Sequence, residues 1–173
     1  MRKPWGERKY GLTFLYLLCF VQFGALLYDP LDQIPTATDK REGYGLETRI
    51  STLPGEVWAP CQGYLAARAG KQEFAHQAPM WDIFRCGDEE TRTLLEEQVK
   101  EALRAKRFSA ILLDSELLQL PWFERELVRS YEAKRRVFSD EDVFWPVTGR
   151  KGRPEVFYVP KVSLDPDRSS RPW

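Results

Sequence analysis

The chain has 173 residues, of which 43% are hydrophobic and 30% are charged, and its formal net charge is zero. These proportions are typical of a folded protein and exclude an intrinsically disordered chain. Residues 29–173 carry a net charge of about −3, which leaves no basic footprint for nucleic acid, so we expect no nucleic-acid partner.

Residues 10–28 form nineteen consecutive positions without a charge, preceded in residues 1–9 by four basic residues and one acid. A membrane-spanning helix needs about 20 mostly apolar residues, and basic residues favour the cytoplasmic side. The pattern therefore predicts a cytoplasmic N-terminus over 1–9 and one transmembrane helix over 10–28 in the cytoplasmic (inner) membrane. The rest of the chain would lie outside. The alternatives are a cleaved signal peptide, for which no A-x-A-like site follows, and a buried core helix.

The composition beyond this segment divides the chain into three further parts. Polar residues and two prolines predict a linker over 29–42, and a folded domain is expected over 43–162. The tail over 163–173 has few residues that would order it, so we expect it to be flexible.

Within the domain, helical and strand patterns alternate, which is typical of the α/β class. The best helix starts at Asp88, and it is followed by a continuous apolar run, FSAILLDS, that predicts a central strand buried on both faces. We therefore expect a small three-layer sandwich of about four strands with flanking helices, preceded by the transmembrane helix. The predicted elements are helix 43–53, strand 56–60, helix 63–70, a helix from Pro79, helix 88–107, strand 108–115, helix 121–131, strand 133–138 and strand 156–160.

Four polar residues are candidates for facing a ligand. Asp114 and Ser115 end the best strand, and in open α/β sheets ligands bind beyond the carboxyl ends of strands. The alternative is that Asp114 caps a turn. His76 and Asp82 are candidates for proton transfer, but their spacing does not place them on one helix face and no nucleophile accompanies them. A structural hydrogen-bonding role for His76 is the alternative, and no catalytic residue is assigned.

Two cysteines lie in the predicted domain, Cys61 and Cys86. Outside the cytoplasm they would be able to form a disulfide, and the alternative is two buried thiols. The domain has one histidine and no C-x-x-C, so the sequence predicts no metal site, and no motif indicates a cofactor.

Two side-chain clusters stand out in the predicted domain, one aromatic and one basic. The aromatic group comprises Phe144, Trp145, Phe157 and Tyr158. We expect it either to line a sugar-binding surface or to pack between the last two strands. The basic group is interpreted as a solvated end of a strand or helix, and comprises Lys134, Arg135 and Arg136.

Several short segments carry a resemblance to a known family. They are Tyr28-Asp29-Pro30 after the apolar stretch, Ile34-Pro35, the turn LPGEV, Ala69-Gly70-Lys71, His76 with Asp82, the strand FSAILLD and the ending FWPVTG with FYVP. Together they resemble the end of bacterial polytopic glycosyltransferases similar to dolichyl-phosphate-mannose–protein mannosyltransferases, over about residues 10–160.

The resemblance implies an α/β domain that follows the last spanning helix of an enzyme which transfers sugar from a lipid-phosphate donor. In that family, catalysis depends on acidic residues in the first extracytoplasmic loop, and those residues have no counterpart in this chain. We therefore expect a membrane-anchored extracytoplasmic accessory or binding domain that is not catalytic alone. Its expected partners are the membrane and either a polytopic glycosyltransferase subunit or a lipid-phosphate sugar.

Two other functions stay open at this point. An interaction module unrelated to sugar transfer would show a large exposed apolar patch rather than a polar cleft. An extracytoplasmic hydrolase would bring Asp114, Asp82 or His76 together with a nucleophile.

Overall fold

The structure of the chain is a computed structural model that describes residues 5–114, 120–147 and 152–162, with side chains from residue 11 onward except at residue 32. Contacts divide the chain into two compact units, Met1–Ile34 and Pro35–Trp173.

The first unit contains helix α1, Trp5–Ala25, and a short 3-10 helix, Pro30–Gln33. The helix ends at Ala25, so residues 26–28 of the predicted span lie beyond it, and its first turns include charged residues. In the described part of the chain, no helix combines the length and the apolar character that crossing a membrane requires. The prediction of a transmembrane helix over 10–28 is therefore not supported.

The second unit is a mixed α/β fold, which confirms the predicted class and the number of strands. Its elements are α2 (Ala37–Thr52), β1 (Glu56–Trp58), α3 (Tyr64–Arg68), α4 (Gln77–Cys86), α5 (Glu89–Arg104), β2 (Phe108–Leu113), α6 (Pro121–Ser130), β3 (Tyr131–Arg136) and β4 (Val156–Pro160). The strand order is β1-β2-β4-β3, with β1 parallel to β2 and β4 antiparallel to both of its neighbours.

Strand β2 lies inside the sheet and is buried on both faces, as its apolar run predicts. Ala110 and Leu112 pack into one core cluster with residues of α2 and α3. Ile111 and Leu113 pack into a second cluster with residues of α4, α5 and α6. Helices therefore cover both faces of the sheet.

Helix α2 begins at Ala37, inside the segment predicted as a linker. Thr36 and Asp39 form a capping box, in which the Thr36 hydroxyl accepts from Asp39 N at 3.1 Å. In return, the Asp39 carboxylate accepts from Thr36 N at 2.9 Å. This reciprocal pair satisfies two backbone donors that would otherwise be unpaired at the start of the helix, which explains the earlier start.

Candidate functional site

A cleft of about 480 Å³ lies between α2, the segment around α3 and the connection from β3 to β4. This volume is within the range of about 300–1,000 Å³ that is usual for small-molecule sites. Its lining combines aromatic rings with charged and amide groups. The lining residues used below are Asp39, Gly43, Tyr44, Glu47, Gln62, Tyr64, Arg68, Phe144, Trp145 and Gly152.

Phe144 forms one wall of the cleft by packing on α2. A Cβ added at Gly43 would lie 2.8 Å from Phe144 Cε2, so the ring sits where any larger residue would place its side chain. Phe144 has a φ of 60°, a left-handed conformation that bulky residues rarely adopt. Such backbone strain costs about 1–3 kcal/mol and often occurs at functional sites. The strain at Phe144 therefore supports a functional role for the cleft wall that this residue forms.

Asp39 connects the start of α2 to the same wall. Its Oδ1 accepts the backbone N–H of Phe144 at 2.6 Å, while Oδ2 accepts from the hydroxyl of Thr36 at 2.6 Å. The hydrogen bond from the Thr36 hydroxyl, followed by that from Phe144 N, lowers the pKa of Asp39. The carboxylate therefore stays ionised and keeps its acceptor role near neutral pH.

Arg153 holds the connection from β3 to β4 through a buried guanidinium. Its Cζ lies 4.4 Å from the Trp145 ring centroid and 5.4 Å from that of Phe138. The same group donates to the carbonyl oxygens of Asp140, at 3.2 Å, and of Val143. These contacts fix Trp145 and its neighbours, and no carboxylate in the described part of the chain pairs with Arg153.

The open part of the cleft presents two tyrosines and one ion pair. Tyr44 and Tyr64 are 57% and 53% exposed, so much of each side chain is available for contact. Desolvation raises the pKa of Tyr64, which keeps its phenol protonated and able to donate. Arg68 donates to both carboxylate oxygens of Glu47, and this hydrogen bonding raises the pKa of Arg68.

Gln62 is the buried polar residue of the lining. The residue is only 9% exposed, and its buried Oε1 atom has no hydrogen-bond partner among the described residues. A buried acceptor left in this state costs about 1–3 kcal/mol. Gln62 lines the cleft, and a ligand hydroxyl that donates to Oε1 would recover this free energy once the amide group turns toward the cleft, because Oε1 itself is buried.

The predicted ligand-facing residue Asp114 lies next to the cleft and is not part of its lining. It follows β2 and is 8% exposed. A Cβ added at Gly152, which does line the cleft, would lie 3.5 Å from Asp114 Oδ2. Ser115 lies outside the described residues.

His76 is the N-cap of α4. Its Nδ1 accepts from Ala78 N at 3.2 Å, and its Nε2 lies 3.2 Å from the carbonyl oxygen of Cys61, to which it donates in the matching tautomer. Asp82 is exposed on the same helix. Both ring nitrogens of His76 thus contact backbone groups, an arrangement typical of a structural hydrogen-bonding residue.

The two cysteines of the second unit are not joined by a disulfide. The Cys61 thiol donates to Gln77 Oε1 at 2.7 Å, and Cys86 is exposed. This hydrogen bond gives Cys61 a polar partner other than Cys86. Among the described residues, no group of three or more acidic, histidine or cysteine side chains is arranged to hold a metal ion.

The aromatic group considered in the sequence divides between two uses. Phe144 and Trp145 line the cleft. Phe157 belongs to the core cluster that includes α2, and Tyr158 packs against the cluster on the opposite face. Core packing therefore accounts for Phe157 and Tyr158, while Phe144, which also packs against the core, and Trp145 contribute to the wall of the cleft.

Comparison with family models, with curated proteins and with solved structures finds no match to this chain. The resemblance to mannosyltransferase-like enzymes consequently stays a prediction.

The sequence interpretation did not identify Tyr44, Gln62 or Tyr64 as site residues. No local motif marks them, because the cleft forms only when α2, α3 and the β3–β4 connection come together. For a different residue of the cleft, Asp39, the sequence did contain a signal. The T-x-x-D pattern at Thr36 places Asp39 in the first turn of a helix.

Replacing Gly43 by alanine is expected to displace Phe144, because the added methyl group would overlap its ring. We expect a loss of about 1–3 kcal/mol in the free energy of unfolding, measured with denaturant. Gly45→Ala is the matched control in the same helix, because its Cβ meets no atom within 4 Å. That variant should gain up to about 1 kcal/mol. Equal effects of the two variants would contradict the packing described for Phe144.

The lowered pKa of Asp39 makes a directional prediction about acid stability. A carboxylate whose folded pKa is below its unfolded value of about 3.9 stabilises the fold above that value. The stabilisation is lost as pH falls through the lower folded pKa. Asp39→Asn should remove this part of the acid dependence and cost about 1 kcal/mol at neutral pH. Chemical unfolding at several pH values measures both effects, and an unchanged pH profile would contradict the role of Asp39.

Proposed function

We propose that the α/β unit is a binding module for a hydroxyl-rich small molecule of the sugar class, which occupies the cleft between α2, α3 and the β3–β4 connection. The observation that carries this proposal is the buried, unpartnered Gln62 Oε1 in a lining rich in aromatic rings. A sugar offers what this lining lacks, since its hydroxyl groups donate to acceptors and its C–H faces pack on flat rings.

The distribution of polar groups supports a ligand with several hydroxyl groups. Gln62 supplies an acceptor, and the Tyr64 phenol supplies a donor. The paired Glu47 and Arg68 leave no net charge at this point of the cleft, which suits a neutral ligand better than an ion. His76 uses both ring nitrogens on backbone groups, which favours binding over acid–base chemistry.

We also propose that the chain is attached to a membrane by insertion of α1 into the apolar part of a bilayer. Five consecutive residues, 14–18, are all large, apolar or aromatic and exposed, and at 3.6 residues per turn they surround the helix. A helix that is apolar on all sides needs apolar surroundings.

In this proposal the module presents a sugar, or a sugar acceptor, to a membrane enzyme of the glycosyltransferase class. The resemblance in segments such as LPGEV and FSAILLD supports that class. The alternative, an interaction module unrelated to sugar, has less support. Of the exposed large apolar residues described in the second unit, Leu94, Val128 and Val162 lie apart from the cleft at separate positions, while Tyr44, Tyr64 and Val147 line it.

Sugar binding can be tested by titrating the full chain with mannose, glucose and N-acetylglucosamine, followed by NMR or calorimetry. Gln62→Met removes the acceptor at similar volume, so we expect affinity to fall about tenfold while stability is kept or raised. Tyr44→Ala should lower affinity about fivefold through lost ring contact. Leu94→Ala, at an exposed site on α5, is the control. Undiminished binding by the Gln62 variant would contradict this use of the cleft.

Membrane insertion can be tested by flotation of the full chain with phosphatidylcholine vesicles. The double variant Leu17→Lys/Phe20→Lys should not float with the vesicles, since each charge near the centre of an inserted helix costs about 2.5–3.5 kcal/mol. Leu94→Lys adds a charge at an exposed site of the second unit and should float normally. If the unmodified chain stays in the aqueous fraction as an oligomer, α1 is covered by protein and the membrane proposal is wrong.

A further inference from the structure

A second, smaller crevice of about 300 Å³ lies between the C-terminal half of α2 and strands β3 and β4. It shares no lining residue with the cleft. Three of its lining residues are cations, Arg49, Lys134 and Arg135, and none of the described lining residues is a carboxylate. The rest of the lining is aliphatic or aromatic, and includes Phe157.

A β-bulge brings two of these cations to the same side of the sheet. Ala133 pairs with Tyr158 and Arg135 pairs with the adjacent Phe157, so Lys134 is an extra residue in β3. In a regular strand, neighbouring side chains point to opposite faces. The bulge changes this alternation, and both Lys134 and Arg135 line the crevice.

The positive charges converge on one aromatic ring. The guanidinium carbons of Arg49 and Arg135 lie 5.7 Å and 5.9 Å from the ring centroid of Phe157. Arg49 is held in place because it donates to the carbonyl oxygen of Val137 at 2.6 Å. Two like charges that share one ring repel each other, and the ring face compensates only part of that repulsion.

Carboxylates do little to compensate these charges. None of the ion pairs formed by the described residues includes Arg49, Lys134 or Arg135. Burial, and next the charge of Arg135, lower the pKa of Arg49, while Glu42 offsets part of the effect. The crevice therefore favours an anion that approaches all three cations.

We propose that this crevice binds the phosphate group of a small molecule through Arg49, Lys134 and Arg135. Guanidinium groups match phosphate oxygens in a two-bond fork, and a lysine ammonium adds a point charge. A phosphate monoester carries close to two negative charges near neutral pH, which suits a site with three cations. The phosphate belongs either to a soluble ester or to the head group of a lipid.

The test is a titration of the full chain in detergent with inorganic phosphate, and separately with micelles that contain phosphatidic acid. The Lys134→Gln/Arg135→Gln double variant removes two exposed charges, and we expect its phosphate affinity to be at least about tenfold weaker. Arg136→Gln is the matched control on the same strand, because Arg136 pairs with Glu141 and does not line the crevice. Its affinity should change less than about twofold.

The two titrations distinguish a soluble phosphate ester from a lipid head group as the source of the bound phosphate. Binding of inorganic phosphate supports a soluble ester, and binding of phosphatidic acid micelles alone supports a lipid head group. Thermal unfolding checks the fold of each variant. Arg135→Lys keeps the positive charge, so we expect it to retain part of the affinity for phosphate.

Three results would overturn the proposal: an equal loss with Arg136→Gln, acetate binding as tight as phosphate, or no saturable binding in either titration. The sugar titration of Gln62→Met is independent of this site, so failure of one proposal leaves the other standing.

Discussion

The packing of Phe144 on Gly43 is the contact on which the proposed site depends. It sets one wall of the cleft against α2, and it holds only because residue 43 has no side chain and Asp39 accepts the N–H of Phe144. The connection over residues 137–155 has no helix or strand in its described part. Connections of this length are uncommon in compact domains unless they have a function. Here Arg153 and Asp39 supply the order that regular secondary structure would otherwise provide.

Helix α2 contributes to both proposed sites and gives them different electrostatic character. Helix α2 carries Asp39 in its first turn and Glu47 further along, and their carboxylates already have partners in Phe144 N and Arg68. Its second half carries Arg49, which faces other cations. The cleft therefore suits a neutral polar ligand and the crevice an anion. Because a helix is stiff along its axis, the two sites keep a fixed separation.

Some of the fold could be predicted because its signals are local. The apolar run of β2 requires burial on both faces, and Asp88 caps α5 by accepting from Thr91 N at 2.8 Å. Gly70 has a positive φ of 72° just beyond α3, which ends at Arg68, slightly before the predicted end. Helix α5 ends at Arg104, earlier than predicted, because Lys106 takes a left-handed conformation.

The site could not be predicted because its signals are long-range. Asp39 and Phe144 are separated by more than a hundred residues, and nothing in the local pattern around either one indicates the other. The bulge at Lys134 depends on how β3 aligns with β4, so a charge run that suggested only a solvated end became a converging set of cations. The apolar segment over 10–28 was visible, but the end of the helix at Ala25 was not, since no proline or turn motif marks it.

The outer strands of the sheet also bear on how molecules of this protein meet one another. An exposed strand edge offers unpaired N–H and C=O groups to any other extended chain. One edge here is β1, which is only three residues long, and the other is β3, which is interrupted by a bulge and rich in lysine and arginine. Neither edge is a good template for adding a further strand. The same irregularity that gathers cations over Phe157 therefore also protects the sheet against edge-to-edge aggregation when the protein is crowded.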